Sequence, residues 1–225
     1  MSSAIMESLL GLRNYLQIKG AFMPSFLLSV VVISLSGVMM PGPLFAVTVA
    51  KSYKSQFAGV QIAVGHALVE IPLILFIYFG LGRFFQHELV QLTLSLLGGV
   101  VLLWLGIGMF RARTRVVATG KDLPYNSVVA GVVTSTLNPF FILWWVTIGS
   151  MLIMKSLDFG ITGFALFIPI HWLCDLAWLS FVSILVYRTR SLWGRKFQEG
   201  LFITCGLLLI GFGIWFVVSG IQLVV

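Results

Sequence analysis

The chain has 225 residues, of which 59% are hydrophobic and only 9% charged, and its mean hydropathy is +1.06. Soluble domains are nearer half apolar and a quarter charged, so much of this surface must face lipid rather than water. The net charge of +7 comes from so few charged residues that it indicates membrane loops, and we expect no nucleic-acid partner. The sequence therefore predicts an all-α integral membrane protein that contacts the lipid bilayer.

Residues 1–24 form a lead-in to the first apolar stretch. They carry Glu7, Arg13 and Lys19 among leucines and isoleucines, and they contain no apolar core long enough for a secretory signal peptide. A short helix at the membrane interface and a disordered lead-in are both consistent with this composition.

Six apolar stretches follow, and each has about the 20 residues that a helix needs to cross the hydrocarbon core. Their apolar runs are continuous rather than alternating with period two, which favours helices over strands. The stretches lie at about 25–50, 58–82, 90–110, 127–154, 160–187 and 198–222. A basic loop at 111–126 separates a first three-helix unit at 25–110 from a second at 127–225.

The distribution of basic residues predicts an orientation. Of the 14 lysines and arginines, ten lie in the loops after the first, third and fifth stretches. Because basic loops stay on the cytoplasmic side, we expect these loops in the cytoplasm and both termini outside it. The sequence thus predicts a multi-pass protein of the cell membrane.

The two units resemble each other in their intramembrane charges. His66 and Glu70 in the second stretch repeat as His171 and Asp175 in the fifth, 105 residues later, and a Gly-x-Gly pair in the third and sixth stretches keeps that spacing. Since each unit has an odd number of helices, the copies must enter the membrane from opposite faces. This predicts an inverted 3+3 repeat, an architecture common in transporters, with the substrate site near the midplane.

Proline motifs interrupt the first and fourth stretches, at Pro41-Gly42-Pro43 and Asn138-Pro139. Proline removes a backbone donor, and Gly42 and Asn138 each suit the N-cap of a helix that restarts at the following proline. The free amides of such a restart attract a carboxylate or phosphate, and the carbonyls before it attract a cation. A simple proline kink is the alternative interpretation. The prolines Pro43 and Pro139 are 96 residues apart rather than 105, which predicts a longer connection between the fourth and fifth helices.

His66, Glu70, His171 and Asp175 are the strongly polar ionisable residues well inside the apolar stretches. Each histidine shares a helical face with its acid, and buried carboxylates need a partner in the bundle interior. Three functions compete: the pairs could load and release protons, the acids could bind a cationic substrate, or all four residues could ligate a divalent metal. Hydrogen bonds that only hold helices together are the structural alternative.

Together, the Pro-Gly-Pro motif, the two His-x3-acid pairs and the Asn-Pro motif resemble the LysE-type translocator family, over residues from about 25 to 222. The resemblance implies export of amino acids, driven by the proton gradient, along a path that Pro41, Gly42, Pro43, Asn138 and Pro139 shape. Relatives in the wider superfamily move metal cations. The absence of paired cysteines distinguishes the chain from the superfamily's thiol-carrying branch.

Our leading hypothesis is an antiporter that exports amino acids or similar small zwitterions in exchange for protons, with no enzymatic activity and no cofactor. The half-helix ends after Gly42 and Asn138 would hold the substrate carboxylate. Glu70 and Asp175 would exchange protons for its amine, with the two histidines as relay partners. The alternative function is a divalent-cation exporter that uses the same two His-acid pairs as ligands. The glycines of the third and sixth helices serve either a homodimer or packing within one chain.

Overall fold

The computed structural model describes residues 22–40, 42–80, 84, 87–119 and 125–222, with the side chains of 112–119 excepted. These residues are almost entirely helical and contain no strand. The helices are α1 (Phe22–Val38), α2 (Pro43–Ser52), α3 (Ala58–Tyr78), α4 (Glu88–Thr119), α5 (Ser127–Thr136), α6 (Pro139–Trp144), α7 (Ser150–Leu157), α8 (Gly160–Thr189) and α9 (Arg195–Gln222). A π-helical turn, Trp145–Gly149, joins α6 to α7, and a 3-10 turn, Arg190–Leu192, follows α8.

Five helical stretches of the described chain have the length and composition to cross a membrane, and α1 with α2 makes up to six. They are Ala58–Tyr78, Glu88–Arg111, Pro139–Leu157, Gly160–Leu192 and Arg195–Gln222. This confirms the predicted all-α integral membrane class. Helix α4 continues to Thr119, so the predicted basic loop at 111–126 begins as a helical extension of the third span. Residues 1–21 of the predicted lead-in and 120–124 of that loop lie outside the described residues.

The first span is broken, as the sequence predicts. Helices α1 and α2 meet at 74°, and Gly42 is the N-cap of α2 with Pro43 as its first residue. Pro41 lies outside the described residues. The fixed φ of proline suits the first turn of a helix, where its missing N–H costs nothing.

The fourth span is broken at a different point along its length. Helix α5 has 10 residues and precedes the break, whereas α2 has 10 residues and follows its own break. Because the first and fourth spans of such a bundle run in opposite directions, both ten-residue half-helices belong to the same side of the membrane. They pack against each other, and the Lys51 ammonium at the end of α2 donates to the Tyr125 carbonyl just before α5.

The predicted longer connection between the fourth and fifth spans is wrong. Only Asp158 and Phe159 join α7 to α8, whereas residues 53–57 join α2 to α3. The prolines are 96 residues apart because the fourth span breaks after the ten residues of α5, whereas the first span breaks after the longer α1, Phe22–Val38. The two predicted repeats therefore match in their ionisable pairs but not in the position of their breaks along the span.

The apolar core consists of two clusters, and the breaks divide the spans between them. Half-helices α2 and α5 contribute to a cluster with α3, α4, α8 and α9, in which Val47 and Leu209 are fully buried. Helix α1 and the segment from α6 to α7 contribute to a second cluster, around Trp145 and Phe167. Each broken span therefore has one segment in each cluster.

Close backbone contact joins the two repeats. A Cβ at Gly65 of α3 would lie 2.1 Å from the Val128 carbonyl oxygen of α5. Between α4 and α9, a Cβ at Gly99 would lie 2.8 Å from the Gly213 oxygen, and one at Gly106 would lie 2.8 Å from the Gly206 oxygen. These glycines serve packing within one chain, as small residues do between membrane helices. A homodimer stays a prediction.

Candidate functional site

A cavity of about 170 Å³ lies between the two helix breaks. It is lined by residues of both breaks, by the four intramembrane ionisable residues and by a group of aromatic side chains. Its lining includes Ser34, Met40, Gly42, Pro43, Leu44, Phe45, His66, Glu70, Ser135, Asn138, Phe140, Phe141, Trp144, Trp145, His171, Asp175 and Phe212. Met40 is 58% exposed, so the cavity reaches the protein surface beside the first break.

The four ionisable residues form one cluster rather than two separate pairs. Glu70 Oε1 lies 3.1 Å from Nε2 of His66 in its own helix and 3.1 Å from Nε2 of His171 in α8. Asp175 Oδ2 lies 3.8 Å from Nε2 of His66 and 3.6 Å from Nε2 of His171. All four residues are at least 95% buried. The cluster therefore joins α3 of the first repeat to α8 of the second.

The cluster leaves carboxylate oxygens without partners. Within the described part of the chain, neither Glu70 Oε2 nor Asp175 Oδ2 has a hydrogen-bond partner, and both atoms are buried. Burying a polar atom without a partner costs free energy, and a charged one costs more. Two such atoms in one cavity therefore destabilise the protein locally, and a bound cation or proton would remove this free-energy cost.

Two serines that the sequence analysis did not single out hold the histidine rings. Ser135 Oγ in α5 lies 2.6 Å from Nδ1 of His66, and Ser34 Oγ in α1 lies 2.7 Å from Nδ1 of His171. Each histidine is thus held by the broken span of the opposite repeat. The sequence indicates these serine contacts only weakly, because hydroxyls inside apolar helices often bond to their own backbone, as Thr134 does to the Ala130 carbonyl.

Aromatic rings pack against both histidines. Trp144 stacks on the His171 ring at a centroid distance of 5.7 Å, and Trp145 meets the same ring edge-on at 4.9 Å. Phe141 packs edge-on against His66 at 4.9 Å. Two consecutive tryptophans reach one histidine at the point where α6 passes into the π-helical turn. That turn requires a glycine at 149, where a Cβ would lie 2.2 Å from the Trp145 ring.

The two breaks present their new helix ends differently. The Asn138 side chain accepts a hydrogen bond from the Phe140 amide at 3.1 Å and so caps α6 itself. Gly42 has no side chain to offer, and no described residue accepts a hydrogen bond from the amides of Leu44 or Phe45. Both residues line the cavity. Among the described residues, the N-terminus of α2 therefore has no side-chain cap, whereas that of α6 is capped by Asn138.

The structure thus brings most of the predicted site residues to one cavity: Gly42, Pro43, His66, Glu70, Asn138, His171 and Asp175. Pro139 begins α6 but is not among the lining residues, and Pro41 is not described. Trp172 of α8 is not among the lining residues, and it donates its indole N–H to the Ala63 carbonyl at 3.2 Å. The functional roles of these residues stay predictions.

Comparisons with known proteins agree with the resemblance seen in the motifs. The family model described as "LysE type translocator" matches residues 35–220. A relative from Bacillus subtilis (strain 168) named "Putative amino acid efflux protein YcgF" is 28% identical over 201 residues, which cover 87% of this chain and 96% of the relative. No solved structure matches the chain.

Proposed function

This chain belongs to the LysE type translocator family, and on that basis we propose that it exports amino acids or similar small zwitterions in exchange for protons. The name of its Bacillus relative points to amino acid efflux, and the chemistry of the cavity supports the same cargo. The observation that carries the proposal is that one cavity is lined by the uncapped start of α2 and by two buried carboxylate oxygens that accept no hydrogen bond from the described residues. A zwitterion needs hydrogen-bond donors for its carboxylate and acceptors for its ammonium group.

The substrate carboxylate is assigned to the N-terminus of α2. Amide groups at a helix start point along the positive end of the helix dipole, and they bind anions without a side-chain charge. Leu44 and Phe45 supply two such amides at the cavity wall. Because Asn138 already occupies the Phe140 amide, we assign the carboxylate to the Gly42 end rather than to both breaks.

The substrate ammonium is assigned to the acid cluster. Glu70 Oε2 and Asp175 Oδ2 accept no hydrogen bond from the described residues, and an ammonium group supplies up to three donors. When the ammonium leaves, protons replace it on the same carboxylates, because unpaired charge is costly at this depth in the membrane. The two histidines sit within 4 Å of these carboxylates and provide the adjoining proton sites. Substrate and proton thus compete for one set of atoms, which couples their movements in opposite directions.

The size of the cavity suits a small amino acid. An apolar protein cavity of about 150 Å³ holds one benzene molecule. This cavity is of about 170 Å³ and aromatic on much of its wall, so it matches a substrate of a similar number of atoms. Rocking of one repeat against the other around this cavity then opens it to each side of the membrane in turn.

Counterflow in proteoliposomes tests this function. Liposomes loaded with one unlabelled amino acid are placed in a trace of the labelled form, across a panel of small neutral, acidic and basic amino acids. We expect wild type to accumulate at least one label, and an imposed pH gradient to change its net flux. Glu70→Gln combined with Asp175→Asn should abolish both effects. The control Glu88→Gln removes an exposed acid at the start of α4 and should retain them.

Two results would contradict the proposal. One is a well-folded wild type that exchanges no amino acid of the panel. The other is unchanged counterflow and unchanged response to the pH gradient in the Glu70→Gln, Asp175→Asn variant. Size-exclusion profile and helical circular dichroism establish folding in each case.

A further inference from the structure

The same four side chains are arranged as ligands for a metal ion. We propose that His66, Glu70, His171 and Asp175 bind a divalent transition-metal ion of the Zn²⁺ class, and that the bound ion stops transport by tying the two repeats together. Binding of the ion is independent of the proposed function, whereas the block of transport rests on it.

The spacing of the donor atoms supports a metal site. Zinc binds imidazole nitrogen and carboxylate oxygen at about 2.0–2.2 Å in tetrahedral sites, which places neighbouring donor atoms about 3.3–3.6 Å apart. Here the four nitrogen–oxygen distances are 3.1, 3.1, 3.6 and 3.8 Å. Ligand atoms of His66, Glu70 and Asp175 all lie within 4.8 Å of one another. These three residues stand close enough to share an ion, and His171, whose Nε2 lies 3.1 and 3.6 Å from the two acids, must move closer to His66 to complete the set of four.

Buried carboxylate oxygens without hydrogen bonds also favour a cation at this site. Glu70 Oε2 and Asp175 Oδ2 are buried and accept no hydrogen bond within the described chain. A divalent ion satisfies such oxygens and neutralises both carboxylates at once. Nitrogen and oxygen donors together favour zinc, cobalt and their neighbours over calcium or magnesium, which prefer oxygen alone.

Ser34 and Ser135 hold the two histidine rings in place. A metal-binding histidine usually bonds through its other nitrogen to a partner that fixes the ring and leaves one nitrogen for the metal. Ser135 donates its hydroxyl to the Gly131 carbonyl at 2.7 Å and so accepts from Nδ1–H of His66 at 2.6 Å, which leaves His66 Nε2 for a metal, and Ser34 Oγ lies 2.7 Å from Nδ1 of His171. The histidines are therefore oriented for metal binding before any ion arrives.

A bound ion would link elements that must move apart. Two of its ligands lie in α3 of the first repeat and two in α8 of the second. The serines that hold the histidines lie in α5 and α1. Rocking of one repeat against the other would break metal–ligand bonds. The ion also occupies the carboxylate oxygens that we assign to the substrate ammonium and to protons, so it competes with both.

Cobalt binding tests the site without any transport assay. The purified full chain in detergent is titrated with Co²⁺, whose visible absorption is intense in tetrahedral sites and is lost when Zn²⁺ displaces it. We expect saturable binding at one ion per chain that Zn²⁺ displaces. The double variant His66→Gln, His171→Gln should abolish it, and Ser34→Ala or Ser135→Ala should weaken it about tenfold while leaving all four ligands in place. The control His87→Gln removes the third histidine of the chain, which is exposed, and should not change it.

Absorption that persists in the double histidine variant would overturn the site, and so would the absence of saturable binding by wild type. In proteoliposomes that show amino acid counterflow, Zn²⁺ should lower the rate at least about tenfold, and His87→Gln should keep this sensitivity. Counterflow that Zn²⁺ does not slow overturns the block. Zn²⁺ that enters the liposomes, measured by a trapped indicator dye, also overturns it and makes the ion a cargo. If wild type binds Co²⁺ yet moves no amino acid, the proposed function fails while the metal site stands.

Discussion

The two helix breaks have similar proline-containing sequences, but their helix ends differ in capping and packing. At the first, α1 and α2 meet at 74°, Gly42 gives α2 no side-chain cap, and the exposed Met40 lies beside the break. At the second, the Asn138 side chain caps α6. The α4 backbone closes on that second break so tightly that a Cβ at Gly98 would lie 2.0 Å from the Leu137 carbonyl oxygen.

The difference in capping indicates which break binds substrate and which one holds the cavity wall in place. A helix end with open amides beside a cavity is a site for an anion, whereas a capped and covered helix end is a fixed part of the wall. The second break also carries the Trp144–Trp145 pair that packs on His171, so its rigidity positions the cluster. We therefore regard the first break as the binding end and the second as its support.

The largest effect is expected from Gly98→Ala. Its new methyl group would overlap the backbone of the second break, and overpacking against backbone costs about 3 kcal/mol. We expect a clear fall in the Tm of the protein in detergent. The matched control is Gly108→Ala in the same helix, where a Cβ meets nothing within 4 Å. Equal Tm values for the two variants would show that α4 does not close tightly on the second break.

The second prediction concerns Gly42→Asn, which makes the first break resemble the second. The backbone of Gly42 at φ −146° suits any residue, and a Cβ there meets only the Met40 carbonyl oxygen, at 3.8 Å. The new side chain would cap the open amides of α2 and exclude the substrate carboxylate. We expect substrate affinity to fall about tenfold, which corresponds to about 1.4 kcal/mol, the size of a charge-assisted contact at a helix end. The Michaelis constant for counterflow measures it.

Gly42→Ala is the control for that experiment, because alanine fits the same space but cannot cap. It should keep the wild-type affinity for substrate. If alanine and asparagine weaken affinity equally, the loss is steric and the open amides are not the carboxylate site.

The sequence predicted the elements of this site well because each has a local signature. Gly42-Pro43 and Asn138-Pro139 have the cap-plus-proline pattern of a helix start, and the structure confirms both starts. The His-x3-acid spacing places each acid beside its histidine on one helical face, as observed for His66 and Glu70. The six-span interpretation followed from the length of the apolar runs alone.

What the sequence did not predict depends on contacts between distant segments. The merging of both pairs into one cluster requires α3 and α8 to approach closely, which Gly59 permits, since a Cβ there would lie 2.0 Å from the Leu179 carbonyl oxygen. The roles of Ser34 and Ser135 depend on the same packing. The connection between the fourth and fifth spans was mispredicted because equal proline motifs were taken as equal depths in the membrane.

A smaller effect is expected from Asn138→Ala, which removes the cap of α6. Loss of an N-cap side chain costs about 1 kcal/mol, and replacement by glycine costs only a few tenths. We expect the free energy of unfolding in detergent to fall by about that amount in Asn138→Ala and by less in Asn138→Gly. Substrate affinity should change less than in Gly42→Asn. A larger loss of affinity in Asn138→Ala would assign the substrate to the second break instead.

The smallest change in stability is expected when the two caps are exchanged, in Gly42→Asn combined with Asn138→Gly. The exchange adds one cap and removes one, so the free energy of unfolding should stay within about 0.5 kcal/mol of wild type. Transport should nevertheless remain as poor as in Gly42→Asn alone. The opened amide of Phe140 lies at a break that α4 covers, whereas the amides of Leu44 and Phe45 have lost their access to the substrate. Recovery of wild-type affinity in the exchanged variant would mean that either helix end can hold the carboxylate, and the two breaks would then be equivalent in function despite their different caps.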